Sequence, residues 1–277
     1  MRTVRTVAEV RSALAEPRDG GHRIGLVPTM GAFHAGHLAL MRAARAGSDV
    51  LVVSLFVNPS QFTNADDLAR YPRDEAQDAL AAEVEGVDLL FAPSVEELYP
   101  QGIDTSVDPG ELATVLEGAS RPGHFRAVAT VCTKLFAIVQ PSAAWFGQKD
   151  AQQVAVIRRV VGDLNLPVEI AAVPTVRDPD GLALSSRNVF LSPAERALAL
   201  ALPRALAAGA NAHRSGEDPI AAARRVLDVE PGLTVDYVDV ADLDGPTLVG
   251  AVRVGTTRLI DNIRLQRGGE ASTPLPR

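Results

Sequence analysis

The chain has 277 residues and a mass of 29.2 kDa, which is enough for one large domain or two unequal ones. Its 47% hydrophobic and 22% charged residues exclude an intrinsically disordered chain. Its net charge of −7 lacks the basic footprint of a nucleic-acid-binding protein. We therefore expect a globular protein with no nucleic-acid partner, and a local basic pocket for a small anion is compatible with these numbers.

The single cysteine, Cys132, excludes an intramolecular disulfide and a cysteine-rich zinc site. The N-terminal segment MRTVRTVAEVRSAL lacks the apolar stretch of a secretory signal peptide. No apolar run approaches the ~20 residues that a membrane helix needs. We expect a cytoplasmic protein without a membrane partner.

The first half of the chain alternates apolar runs with helical patterns. The apolar runs predict strands at 23–28, 49–57, 87–93, 143–147 and 167–174. Apolar residues at helical spacing predict a helix at 36–47, and further helices are predicted at 73–85, which is rich in polar residues, at 125–139 and at 150–162. Strands and helices that alternate in this way form right-handed βαβ units. The sequence therefore predicts an α/β protein with a Rossmann-like, doubly wound parallel sheet.

The pattern changes after about Val176. A helix is predicted to start at SPAE, with Ser192 as N-cap, proline at the first position and glutamate at the third. This alanine-rich helix is expected to reach about His213, and further elements are predicted as a helix at 218–228 and a small antiparallel sheet at 233–243 and 252–265. We predict two domains, a Rossmann-like domain at 1–176 and a smaller α+β domain at 177–277 that ends in a frayed tail, GGEASTPLPR.

The segment PTMGAFHAGH (28–37) ends the first of these strands and opens the helix that follows. Ligands of doubly wound sheets bind at the carboxyl ends of the strands, where a helix N-terminus offers free N–H groups and a positive dipole end to an anion. His34 and His37 are three residues apart, so both can contact phosphate oxygens and supply protons. A structural pair and a metal pair are the alternatives, although HxxH lacks the glutamate of the zinc-protease helix and a nearby third ligand.

Two polar segments offer candidate groups for a substrate. FVNPSQF (56–62) follows the second strand, and its Asn58 and Gln61 amides suit hydroxyl and carboxylate groups, although an ordinary Asn-Pro turn is the alternative. In EGASRPGHF, Arg121 and His124 could clamp a carboxylate or a phosphate, or the segment could be a solvated loop.

Two further segments carry cationic and hydroxyl groups. FGQKDAQQ (146–153) contains Lys149, one of only two lysines among the 27 basic residues. A lysine at a strand end can neutralise phosphate charge, and Asp150 can accept hydrogen bonds from a ribose. LSSRN (184–188) combines two hydroxyls, an arginine and an amide in a loop that could close on a triphosphate. Lys134, the other lysine, is predicted to lie on the surface of a helix.

With these segments in order, the chain closely resembles the pantothenate synthetase (pantoate–β-alanine ligase) family of the nucleotidyltransferase superfamily. The resemblance spans roughly residues 23–265 and rests on collinear motifs: PTMGAFHAGH, FVNPSQF, YPR (71–73), RPGHF (121–125), FGQKDAQQ and SSRN. HAGH stands for the HIGH-type signature of that superfamily, and SSRN stands for its KMSKS-type signature.

The resemblance implies that pantoate attacks the α-phosphorus of ATP to give pantoyl adenylate, which β-alanine converts to pantothenate and AMP. It implies a homodimer, and Mg²⁺ at Asp78. It gives catalytic roles to His37 (as proton donor), His34, Lys149 and Arg187. It implies ATP contacts at Met30, Gly31, Ala32, Phe33, His34, Ala35, Gly36, His37, Gly147, Gln148, Lys149, Asp150, Val176, Leu184, Ser185, Ser186 and Arg187. The pantoate residues it implies are Gln61 and Gln153, and Asn58, Arg121 and His124 join them as candidate substrate contacts.

The chain departs from the family pattern at four positions, with Gln77, Ala127, Gln148 and Ala151 where an acid, Gly, Glu and Tyr are common. Two other functions are weighed against this one. One is a cytidylyl- or adenylyltransferase that acts on another acid or phosphate, and the other is a non-catalytic nucleotide-binding module. A binding module would need fewer polar groups at one site than this chain offers, so this alternative is disfavoured. The groups in question are His34, His37, Lys149, Ser186 and Arg187.

Overall fold

A computed structural model describes residues 1–62 and 65–265 of the chain, so the predicted tail GGEASTPLPR lies outside the described residues. Contacts between Cα atoms divide the chain into two units, Met1–Val176 and Arg177–Arg277. We propose that these units are the two domains predicted from the sequence. Among the described residues, no helix combines the length and the apolar character that crossing a bilayer requires.

Six parallel strands form the sheet of the first unit, in the order β1-β4-β3-β2-β5-β6. The Rossmann-like α/β prediction is therefore confirmed, and each predicted strand is present. The edge strand β1 was not predicted. The strands are β1 (Arg2–Val4), β2 (Ile24–Thr29), β3 (Val50–Leu55), β4 (Leu89–Phe91), β5 (Ala143–Gly147) and β6 (Glu169–Val173).

Four helices of the first unit were predicted, and each of them, α2, α4, α7 and α8, begins and ends within two residues of its predicted bounds. Helix α1 was not predicted, and it starts with a capping box in which Thr6 and Glu9 bond each other's backbone N–H. The helices are α1 (Val7–Asp19), α2 (Ala35–Ala46), α3 (Ala65–Arg70), α4 (Glu75–Val84), α5 (Val95–Leu98), α6 (Glu117–Ser120), α7 (His124–Val139) and α8 (Ala151–Asp163).

Helices cover both faces of this sheet, because the strands bury side chains on both sides. In β3, Val52 packs into a core cluster with residues of α1, α7 and α8. Its neighbours Leu51 and Val53 point the other way, into a cluster with residues of α2 and α4. The continuous apolar run that predicted β3 is thus typical of a strand that is buried on both faces.

In the described part of the second unit, residues 177–265, three helices accompany a three-stranded antiparallel sheet in the order β7-β8-β9. The predicted capping box at Ser192 is present, but the single alanine-rich helix is divided at Leu200. Pro203 explains the break, because a proline ring clashes with the carbonyl four residues earlier. The elements are α9 (Pro193–Ala199), α10 (Ala201–Arg214), α11 (Pro219–Leu227), β7 (Leu233–Asp242), β8 (Pro246–Val254) and β9 (Thr257–Arg264).

The strand order of the first unit reverses between β2 and β5. From β2 the chain proceeds through β3 to β4 on one side, whereas β5 is followed by β6 on the other side. Such a switch point leaves a crevice at the carboxyl ends of the two central strands, where ligands of open α/β sheets bind. The motifs PTMGAFHAGH and FGQKDAQQ begin with the last two residues of β2 and β5 and continue into the segments after these strands.

Candidate active site

The turn from β2 to α2 has an unusual backbone. Two consecutive residues adopt the left-handed conformation, Gly31 with a φ of 85° and Ala32 with a φ of 54°. The Gly31 N–H donates to Thr29 Oγ1 at 3.3 Å. The N–H groups of Ala32 and Phe33 donate to the two carboxylate oxygens of Asp78, at 2.8 and 2.7 Å. The turn is therefore fixed by polar contacts before α2 begins.

A pair of histidines caps α2. The Nδ1 atom of His34 accepts from the Gly36 N–H at 3.1 Å, and Nδ1 of His37 accepts from the His34 N–H at 3.4 Å. The two ring centroids are 4.2 Å apart. A neutral imidazole that accepts at Nδ1 carries its proton on Nε2. Both rings therefore present an Nε2–H donor at a helix N-terminus, which itself favours an anion.

The environment of His37 keeps its ring neutral. Burial lowers the pKa of His37 to about 3, and a charge on His34 would lower it further. The Asp150 carboxylate acts in the opposite direction, and the Lys149 ammonium adds to the lowering. The charges that follow β5 therefore act on the histidine that caps α2, as expected for two neighbouring carboxyl ends of one sheet.

Asn58 stands at the end of β3, where it caps a 3-10 turn over Pro59–Gln61. Its Oδ1 atom accepts from the Ser60 hydroxyl at 2.9 Å and from the Tyr99 hydroxyl at 3.4 Å. The side chain is fully buried, yet its Nδ2 atom has no hydrogen-bond partner among the described residues. Native proteins rarely leave a buried donor unpaired, so this amide is a candidate to meet a ligand.

Gln61 is held through its backbone by two residues from the RPGHF motif. Its carbonyl accepts from Arg121 Nη2 and from His124 Nδ1, both at 3.1 Å. Arg121 Nη1 also lies 3.1 Å from His124 Nε2. Because a guanidinium only donates, His124 accepts at Nε2 and carries its proton on Nδ1. Arg121 and His124 thus position the Gln61 turn, and their direct contact with substrate stays a prediction.

The chain after β5 forms a 3-10 turn over Gln148–Asp150 and then enters α8. Lys149 Nζ lies 3.7 Å from Asp150 Oδ1. Gln153, in the first turn of α8, is half-buried, whereas the adjacent Gln152 is buried and bonds only to backbone. Gln152 donates to the carbonyls of residues 112 and 115 at 2.8 Å and accepts from the N–H of residue 117 at 3.0 Å. The two glutamines therefore have different surroundings.

The segment LSSRN belongs to the second unit. Ser185 caps a 3-10 turn over Ser186–Phe190, accepting from the Arg187 N–H at 3.3 Å. Asn188 Nδ2 donates to the Ala183 carbonyl at 3.1 Å. The start of this loop is held by Arg177, which donates to both carboxylate oxygens of the buried Asp261, at 2.6 and 3.0 Å. The ion pair between Arg177 and Asp261 thus holds the start of the loop whose residues are predicted to contact ATP.

Within the first unit, the predicted residues fall into three groups. The turn after β2 holds Met30–His37 with Asp78, and the turn after β3 holds Asn58 and Gln61 with Arg121 and His124. The third group consists of Gly147, the last residue of β5, and of residues 148–153 after it. The Asp150 charge affects the pKa of both His37 and His124, so the three groups converge electrostatically. Val176 lies three residues beyond β6 and is half-buried.

Comparison with known families agrees with this geometry. The family model described as Pantoate-beta-alanine ligase matches residues 2–264. The chain belongs to this family. A pantothenate synthetase from Roseiflexus sp. (strain RS-1) is 54% identical over 96% of this chain and 100% of its own length. Pantothenate synthetase 1 from Bradyrhizobium diazoefficiens is also 54% identical, over 96% of this chain and 98% of its own.

Solved structures of the family have the same fold. The pantothenate synthetase from Thermus thermophilus matches with a TM-score of 0.89 and 47% identity, over 96% of this chain and 99% of its own. The pantoate-beta-alanine ligase from Francisella tularensis, described as a complex with beta-gamma ATP and beta-alanine, has a TM-score of 0.82 and 34% identity. That match covers 97% of this chain and 99% of the other. The predicted family, fold class and enzyme class are therefore confirmed.

The burial of His124 predicts a pH effect on stability. Burial and the Arg121 charge lower the pKa of His124 to about 4, against an ordinary value of 6.5. Between pH 6.5 and 4 the unfolded chain binds a proton at this position that the folded chain excludes, so this histidine makes the protein less stable as the pH falls. His124→Asn retains a donor toward the Gln61 carbonyl but does not titrate.

We therefore expect the free energy of unfolding of His124→Asn to change less than that of the unsubstituted protein between about pH 7 and about pH 4.5. Urea denaturation at several pH values measures both curves. Above about pH 7 the two curves should run parallel. Parallel curves throughout the acidic range would contradict the neutral, buried state assigned to His124.

Proposed function

We propose that this chain condenses pantoate with β-alanine in an ATP-dependent reaction that yields pantothenate, AMP and pyrophosphate. The observation that carries the proposal is the match of residues 2–264 to the ligase family, together with a histidine-capped helix at the switch point of the sheet. The Francisella relative, described in complex with a form of ATP and β-alanine, supports the choice of these two substrates.

The proposed reaction has two steps. A pantoate carboxylate oxygen attacks the α-phosphorus of ATP, and the bond from that phosphorus to the oxygen bridging the β-phosphate breaks, so pyrophosphate leaves. The β-alanine amine then attacks the acyl carbon of pantoyl adenylate, the carbon–oxygen bond to AMP breaks, and the nitrogen loses a proton. The enzyme supplies alignment of the reactants and stabilisation of the negative charge that develops on phosphorus oxygens.

We assign His34 and His37 to the α-phosphate as hydrogen-bond donors. Both rings accept backbone N–H groups at Nδ1, so each carries its proton on Nε2, the atom that we assign to the α-phosphate. A neutral donor can stabilise the charge of the five-coordinate phosphorus without transferring its proton. This role differs from that of proton donor, which the family resemblance implies for His37, because protonation of Nδ1 would break the cap of α2.

Lys149 is assigned to the phosphates of ATP as a point charge, and Asp150 to the ribose. Lys149 follows β5, the neighbour of β2 in the sheet, and its charge acts on the pKa of His37. Pyrophosphate is a multiply charged leaving group, so a fixed cation near it lowers the barrier to its departure. We assign Leu184, Ser185, Ser186 and Arg187 to ATP on the family resemblance alone.

Pantoate is assigned to the turn after β3 and to the start of α8. Gln61 is buried and its backbone is locked by Arg121 and His124, so its amide can be presented in one orientation. The unpaired Nδ2 of Asn58 is a second donor in the same turn. Gln153 completes the set. A magnesium requirement and a homodimer are proposed on the resemblance alone, and a cytoplasmic location is proposed from the sequence pattern described above.

Isotope exchange tests the adenylate directly. Because the first step needs no amine, labelled pyrophosphate should enter ATP when pantoate and Mg²⁺ are present and β-alanine is absent. Without pantoate, no exchange is expected. Exchange supported by a different acid but not by pantoate would favour another transferase of the superfamily. Exchange that requires β-alanine, or release of ADP in the full reaction, would refute the proposed mechanism.

Substitution of Lys149 tests the charge assignment. We expect Lys149→Ala to reduce the exchange rate by about 100-fold, the scale of losing one preorganised charge donor. Lys149→Arg should recover little of that loss, because the larger, planar guanidinium cannot replace a compact ammonium at a fitted site.

The other lysine provides a matched control. Lys134 lies in α7 with its Nζ 5.3 Å from the centre of the Tyr99 ring, so Lys134→Ala removes the same group elsewhere in the fold. Its exchange rate should stay within about threefold of the unsubstituted enzyme. A folded Lys149→Ala protein with nearly normal exchange would rule out the proposed role.

A further inference from the structure

Gly31 and Ala32, the two residues with left-handed backbone conformation in the turn after β2, need a specific contact that stabilises them. Gly31 tolerates a φ of 85°, but Ala32, with a φ of 54°, carries a Cβ that this conformation disfavours. A residue persists in such a conformation only when its surroundings fix it. The surroundings here are the carboxylate of Asp78, which accepts the two N–H groups that follow Gly31.

Successive backbone N–H groups around a left-handed residue form a concave site that binds anions. In this turn the anion is supplied by the protein, since each oxygen of Asp78 accepts one N–H, at 2.8 and 2.7 Å. The amides of Ala32 and Phe33 therefore already have acceptors. Contact of these two residues with ATP, as the family resemblance implies, would have to use atoms other than their N–H groups.

The position of Asp78 is itself well determined. Asp78 lies in the first turn of α4, which Asp74 caps by accepting the Gln77 N–H at 3.0 Å. The carboxylate also approaches Gly31 so closely that a Cβ there would lie 2.8 Å from Asp78 Oδ2 and 2.7 Å from Leu55 Cδ1. Glycine at position 31 is thus required both by its φ and by this approach.

The same geometry does not fit the magnesium role that the resemblance implies for Asp78. Mg²⁺ keeps several waters and needs room for near-octahedral coordination. The Asp78 side chain is buried, with 4% exposure of the residue, and both of its oxygens are engaged by backbone N–H groups.

We propose that Asp78 is a positioning residue that fixes the left-handed Gly31–Ala32 turn and thereby sets the orientation of the histidine-capped N-terminus of α2. It acts through the backbone, and it does not ligate Mg²⁺. The expected effect of Asp78 on the use of ATP rests on the proposed function. Its effect on the conformation of the Gly31–Ala32 turn does not.

The test is a double-substitution cycle between Asp78 and Ala32. In Asp78→Asn the amide oxygen can accept one N–H, but the NH₂ group then faces the other N–H, so the turn loses support. We expect kcat/KM for ATP to fall by about 10-fold or more. Adding Ala32→Gly lowers the cost of the left-handed conformation, so the double variant should recover several-fold of this loss.

Two controls distinguish loss of the turn from loss of a charge at the start of α4 and from loss of Mg²⁺ binding. Asp74→Asn removes the same charge from the same end of α4 and keeps a capping side chain, so its activity should stay within about twofold. In addition, the Mg²⁺ concentration that gives half-maximal rate at a fixed ATP concentration should be equal in Asp78→Asn and the unsubstituted enzyme. A rise of about 10-fold in that Mg²⁺ concentration for Asp78→Asn would overturn the proposal. So would normal activity of Asp78→Asn, or a double variant no more active than Asp78→Asn alone.

A measurement on the unsubstituted protein covers the case in which Asp78→Asn does not fold. Amide hydrogen exchange without any ligand should show the N–H groups of Ala32 and Phe33 protected, and millimolar Mg²⁺ without ATP should not change their exchange rates or chemical shifts. Rapid exchange of these two amides, or a shift on adding Mg²⁺, would overturn the proposal. This result does not depend on catalysis, so it stands or fails separately from the pyrophosphate exchange.

Discussion

The pairing of the Asp78 carboxylate with two backbone N–H groups is the contact on which the geometry of the site depends. It spans the sheet's carboxyl edge from α4 to the turn after β2, and it stabilises two left-handed residues in sequence. The direction of α2 follows from that turn. The direction of the two histidine rings follows from the start of α2, because the His34 ring accepts the Gly36 N–H and the His37 ring accepts the N–H of His34. A small error in this turn would displace both histidine donors at the N-terminus of α2.

The polar residues of the motifs divide into those that hold backbone and those that are available to a ligand. Gln152 satisfies three backbone groups within residues 112–117, whereas the adjacent Gln153 is half-buried. Arg121 and His124 hold the Gln61 carbonyl, and the proposed contact with pantoate is made by the side-chain amide of Gln61. This division is expected of catalytic sites, since a substrate-facing side chain is effective only when a supporting contact fixes its position.

Sequence periodicity predicted most of the fold, because strands buried on both faces and amphipathic helices leave clear patterns. It missed β1, which has only three residues, and it did not register that Pro203 divides the helix at Leu200. The motifs located the candidate site, and the resemblance selected Gln153. The sequence gives no physical reason to prefer Gln153 to Gln152, because packing decides which way neighbouring helical residues face. The bond from Asp78 to Ala32 joins residues 46 positions apart, and no local pattern predicts it.

Transfer of an oxygen label tests adenylate formation most directly. In the proposed reaction one carboxylate oxygen of pantoate forms the bridge to phosphorus, and amine attack on the acyl carbon leaves that oxygen with AMP. With pantoate labelled with ¹⁸O in its carboxylate, mass spectrometry should therefore find one ¹⁸O atom in each AMP and one in the amide carbonyl of pantothenate. Unlabelled AMP, or labelled inorganic phosphate formed together with ADP, would contradict it.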